Sequence, residues 1–143
     1  MQLDDDNYLP DAHEKFAAHF VDELYEDPAD DLAPFGSDEA ADEIFGWMTH
    51  LDDVTAESTV RQLVAISYDE EDEASLLEDW ASDDDTLDAI TIALGFFLIR
   101  VTGQIDEVGR QDVLEAIARR RTRFGDEHVQ FDIMTRDLES FAD

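Results

Sequence analysis

Residues Thr86 to Val101 read TLDAITIALGFFLIRV, and eleven of these sixteen positions are apolar. Leu87, Ile90, Leu94, Phe97 and Val101 step along one helical face, while Ile92, Phe96 and Ile99 occupy another, so the stretch is apolar nearly all round. Asp85, with Asp88 three residues on, reads as an N-terminal cap with an acidic first turn, and Gly103 stands where a helix would stop. The run falls short of the roughly 20 apolar residues that a membrane span needs, and it carries Asp88 and Arg100. A central core helix wrapped by other elements follows from this pattern. A β-hairpin broken at Gly95 is its competitor.

Downstream, Gly103 to Gly109 reads as a turn, and Arg110 to Arg121 as a helix with Val113, Leu114, Ile117 and Ala118 facing inward. Gly125 closes that unit. In 128–141, Val129, Phe131 and Ile133 alternate as in a strand, whereas Phe131, Met134, Leu138 and Phe141 follow helical spacing. The helical set is longer and favours a C-terminal helix docked on the core.

Upstream, Thr55 caps a helix over Ala56 to Ser67 with Val60, Leu63, Val64 and Tyr68 inward. Ser37 or Asp38 caps another to about His50, carrying Ile44, Phe45, Trp47, Met48 and Leu51. Gly46 within it costs about 1 kcal/mol against alanine. Pro10 or Asp11 opens a first helix to about Glu26, with Asp11 and Glu14 at capping-box spacing. Its apolar stripe is Phe16, Phe20 and Leu24, widened by Val21 and Tyr25. Pro28 and Pro34 mark 27–36 as a turn-rich connection. The block Asp69 to Glu73 is a loop or the first turn of a short helix through Trp80. The expected fold is all-α: an irregular bundle of about six or seven short helices around Thr86–Val101. One helical domain covers 10–143, behind an acidic lead-in at 1–9.

Charge is the dominant compositional signal. Thirty-nine Asp and Glu stand against nine Lys and Arg, a net of −30, in a chain whose 43% apolar content is ordinary for a globular domain. Twenty-five of the acids are Asp, and Lys15 is the only lysine. Residues 1–88 carry −27 and residues 89–143 only −3. Two causes compete. A cytosol at molar salt shortens the Debye length to about 3 Å and tolerates a carboxylate coat. Alternatively the acid is a working surface that imitates a polyanion. Cysteine is absent, which removes disulfides, thiolate catalysis and cysteine metal sites. No signal peptide is visible at the N-terminus, so the cytoplasm is the expected location.

Catalytic signatures are sparse. The histidines are His13, His19, His50 and His128. No two have the four-residue spacing of a zinc-protease helix, and none follows a glutamate by three residues as a di-metal bundle requires. His19 and Glu23 share a predicted helical face and are the weak metal candidates; Asp53 follows His50 by three. The acidic blocks match no calcium loop, the six glycines are scattered singly, and no cofactor motif is present. Arg119, Arg120, Arg121 and Arg123 form a basic cluster that would suit phosphate, a self-association contact in a homo-oligomer, or pairing with the protein's own acid.

These features point to a non-catalytic acidic helical module that binds a basic macromolecule: a DNA-binding protein, a nuclease, or a toxin held by an immunity-type inhibitor. Direct nucleic-acid or membrane binding is not expected at this charge. Partner contacts are expected at Asp69, Glu70, Glu71, Asp72, Glu73, Asp83, Asp84 and Asp85, around Trp80 as an exposed anchor. The alternatives are salt adaptation with function on another surface, and a metal-dependent enzyme using His19 and Glu23. The resemblance to DNA mimics and immunity proteins is one of composition and carries over no site residues.

Overall fold

A computed structural model describes residues 9–27, 30–67, 73–82, 85–125 and 127–141, together with the backbone but not the side chain of Glu73. These residues form seven α-helices and two 3-10 helices, and no strand occurs among them. The α-helices are α1 (Glu14–His19), α2 (Asp38–Trp47), α3 (Val60–Ser67), α4 (Glu73–Ala81), α5 (Asp85–Thr102), α6 (Glu107–Phe124) and α7 (Val129–Ser140). The 3-10 helices cover Glu23–Glu26 and Met48–Asp53.

The apolar helix is the axis, as expected. Every residue of α5 from Leu87 to Arg100 is buried, under α1, α2, α3, α4 and α6. The hairpin alternative at Gly95 is excluded: Gly95 lies inside α5, and a Cβ there would overlap Cγ2 of Val113 on α6. The glycine is a contact surface that lets two helices approach closely. Asp85 falls in the first helical turn and not before it. Gly103 stops α5 with φ 75°, a left-handed conformation that glycine adopts without a Cβ clash.

Several boundaries differ from the sequence reading. Helix α6 begins at Glu107, where the Asp106 carboxylate accepts the Gly109 N–H at 2.8 Å and the Val60 N–H at 3.0 Å. Gly109 therefore lies inside a helix, where a Cβ would come within 2.5 Å of Val60 Cγ2. Helix α3 starts at Val60 and not at Ala56. Its capping box is Thr59 with Gln62: Thr59 Oγ1 accepts the Gln62 N–H at 3.2 Å, and Gln62 Oε1 accepts the Thr59 N–H at 3.0 Å. Helix α2 does take Ser37 as its cap, with Oγ accepting from Ala40, but turns into the 3-10 helix after Trp47. Phe45 is 69% exposed and does not join Ile44 and Trp47 in the core.

The first predicted helix is the largest departure. Its 10–26 span is split into α1 and a 3-10 helix, and the Asp11–Glu14 capping box is replaced by His13, whose Nδ1 accepts the Lys15 N–H. Arg100 explains the late start. Its Nε donates to the Pro10 carbonyl at 2.6 Å and its Nη1 to Glu26 at 2.6 Å, while the His13 N–H donates to the Arg100 carbonyl at 2.7 Å. Residues 10–13 are thus tied to the end of α5. The break after His19 sends Val21 outward, 76% exposed, while Tyr25 is fully buried. Phe16, Phe20 and Tyr25 close on Phe96 and Phe141, with ring centroids 4.8 Å apart for Phe16–Phe20 and 5.5 Å for Phe20–Phe96.

The C-terminal segment is a helix. Phe131, Met134 and Leu138 are fully buried and Phe141 nearly so, the helical set of the sequence pattern. No described helix is long and apolar enough to cross a membrane.

Two expectations follow. Gly95→Ala should cost about 1–3 kcal/mol through overpacking, despite alanine's better helix propensity, and Val113→Ala on that background should restore part of it; urea denaturation of the four-protein cycle checks both. The second concerns Tyr25, whose hydroxyl donates to Asp137 Oδ2 at 2.8 Å; burial first, then this bond, pushes its phenol far above the ordinary range. The unfolded chain then loses this proton near pH 10 while the folded chain keeps it. The Tyr25 contribution is intact below pH ~10 and falls by about 1.4 kcal/mol per pH unit above it. Tyr25→Phe should be less stable by about 1 kcal/mol near neutrality, with the gap to wild type closing in alkali.

Candidate functional site

The acidic surface around α4 is described only in part. Asp69, Glu70, Glu71, Asp72, Asp83 and Asp84 lie outside the described residues, as do Tyr68 and the Glu73 side chain. Two members of that expected site are described, and both are engaged by the protein's own side chains. Trp80 is 7% exposed. Its Nε1 donates to Thr91 Oγ1 at 2.9 Å, and the Arg61 guanidinium lies 5.8 Å from its ring centroid. It is therefore no exposed anchor. The reason is helical phase: Trp80 follows the fully buried Leu76 by four residues, so both point at the core while Leu77 and Glu78 point outward. Asp85 accepts from Arg120 at 3.1 Å and from Arg123 at 2.7 Å.

The arginine cluster is consumed by the same network. Asp88, fully buried, accepts from Arg119 at 2.8 Å and from Arg123 at 2.6 Å. Arg121 pairs with Asp132 on α7. Outside the cluster, Arg61 grips Asp112 through Nε and Nη2, Arg100 reaches Glu26, Arg110 reaches Glu107, and Arg136 reaches Asp137. Every arginine thus meets a carboxylate of its own chain. The cluster is a clamp between α5, α6 and α7, the pairing with the protein's own acid that the sequence offered.

Histidine chemistry is likewise absorbed. His19 ends α1 and Glu23 opens the following 3-10 helix, so the two do not share a helical face. His19 Nε2 lies 2.8 Å from the Asp137 carbonyl oxygen, which can only accept, so this nitrogen carries the ring proton and is closed to a metal. His50 and Asp53 stand 3.8 Å apart in solvent. Among the described residues no group of three or more His, Asp or Glu could hold a metal ion.

A groove about 600 Å³ in volume lies between α2, the Met48–Asp53 3-10 helix and α3. Its floor is Trp47 and Leu63, tied across by Trp47 Nε1 donating to Ser67 Oγ at 2.8 Å. Ile66, 67% exposed, forms one lip. Gly46 opens the opposite wall, since a Cβ there would meet nothing within 4 Å. Glu43 and Asp53 stand on the rim. Residues 37–67 carry Asp38, Glu39, Asp42, Glu43, Asp52, Asp53 and Glu57 against Arg61 alone, which is turned to Asp112. Ile66 was a signal in the sequence: it is the large apolar residue of α3 left outside the inward set of Val60, Leu63 and Val64. Gly46 was visible only as a helix penalty.

No family model, no curated protein and no solved structure matches the chain.

Asp88→Ala should leave Arg119 and Arg123 without their shared buried acceptor and cost about 3–5 kcal/mol. Thermal unfolding checks this; a loss below about 1 kcal/mol would mean that the clamp is replaceable by water.

Proposed function

We propose that this protein is a non-catalytic acidic helical module that binds a basic macromolecular partner, in the manner of a polyanion mimic, an inhibitor or an immunity-type protein. One observation carries the reading: all eight arginines pair with carboxylates of the same chain, in a protein whose 39 acids stand against nine bases. Asp38 with Asp42, and Glu39 with Glu43, are like charges one helical turn apart on α2, an arrangement that repels itself until cations approach. A basic partner supplies them in fixed positions, and the long-range field speeds the encounter. The acids at 69–73 and 83–84 add to this field by sequence.

The second reading is salt adaptation, favoured by the presence of only one lysine, Lys15, beside 25 Asp. Thermal unfolding by circular dichroism across KCl separates the two, because screening shortens from about 10 Å at 0.1 M to about 3 Å at 1 M. A partner-binding module should be helical and unfold cooperatively already at 0.1 M. Helix signal confined to the molar range would overturn the proposal and assign the acid to the solvent.

A further inference from the structure

We infer that the α2–α3 groove is the seat of a basic amphipathic helix, which enters apolar side first and sets its Lys or Arg residues against Glu43 and Asp53. This rests on the reading above and deepens it by naming the surface and the shape of the partner. Charge alone would attract any cation to any face of this molecule, so a specific partner needs an apolar feature that water covers poorly. The groove offers one: an indole and a leucine as floor, the exposed Ile66 as a lip, and an open wall at Gly46. Helix-in-groove recognition uses apolar anchors at three- and four-residue spacing, which such a trough accepts. The rim decides the charge of the occupant. Glu43 and Asp53 are joined there by His50 but by no arginine or lysine. A second copy of this chain would bring another −30 to the contact, which disfavours self-association through this face.

A second trough lies along α1, over Phe16 and Phe20 with Asp22 and Glu23 at its edge. It has an exposed apolar lip of its own in Val21, but part of its acidic edge is already engaged by the protein itself: Asp22 accepts the Leu24 N–H at 3.0 Å and Glu26 accepts from Arg100 at 2.6 Å.

The test uses the full chain and two synthetic peptides of identical leucine and lysine content, about five helical turns long. One is amphipathic as a helix and the other is scrambled. Titration at physiological salt, where screening acts over about 8 Å, is followed by amide and indole NMR resonances. The amphipathic peptide should move the signals of Gly46, Trp47 and Ile66 and bind at least about tenfold tighter than the scrambled one. Gly46→Leu fills the trough at a position with free space and improves helix propensity; Ile66→Ser removes the lip at an exposed site. Each should weaken binding by about tenfold, or about 1.4 kcal/mol, without lowering the unfolding midpoint.

Equal binding of both peptides, or unchanged affinity in both variants, would overturn the groove and leave the acidic-surface reading standing. Failure of both peptides to bind even at low salt would overturn both. Concentration-dependent dimerisation without peptide, abolished by Gly46→Leu, would assign the groove to a second copy and not to a basic helix.

Discussion

A carboxylate with no solvent exposure sits in the first turn of the most buried helix, and the rest of the architecture answers to it. Asp88 taken alone would carry a desolvation cost of several kcal/mol. Arg119 and Arg123, one turn apart on α6, supply two guanidiniums that meet its two oxygens, and Arg123 with Arg120 extends the contact to Asp85. This fixes the rotation and the register of α6 on α5 at one end. Further along, the missing side chain of Gly95 lets Val113 close the gap. With that pair locked, α7 gains a surface through Arg121 and Asp132, and Arg61 bound to Asp112 draws α3 in from the other side.

The parts of the fold legible in the sequence are those with local causes. The central helix is written as continuous apolarity, α7 as three- and four-residue spacing, and the stops at Gly103 and Gly125 as glycines that take positive φ. The parts that were not legible have distant causes. Nothing near Pro10 announces that Arg100, ninety residues away, holds its carbonyl and delays the first helix. Gly109 reads as a turn residue because Val60, the neighbour that requires a glycine there, is far off in sequence.

The same division runs through the candidate interface. Total charge is a property of composition and was plain at once, whereas the face on which charge is left over depends on which acids the arginines neutralise. Trp80 lay between solvated acids and looked outward by its neighbours, yet its phase with Leu76 placed it under Arg61. The groove at Trp47 needed two helices and a 3-10 helix to exist at all, and Gly46 acquires meaning there only once α3 stands opposite.

The forked pairs of Arg61 and of Arg119 with Arg123, and the bridge of Arg100 to a carbonyl and a carboxylate at once, each use the planar geometry of a guanidinium. An ammonium group is a point donor and cannot span such partners. The exchange of arginine for lysine, tolerated by neutral drift over most protein surfaces, is therefore closed at these positions by geometry. Part of the lysine-poor composition is accordingly a record of what this molecule asks of its cations, which is to join two partners at once across helices, a demand set by geometry and not by the ionic strength of the medium.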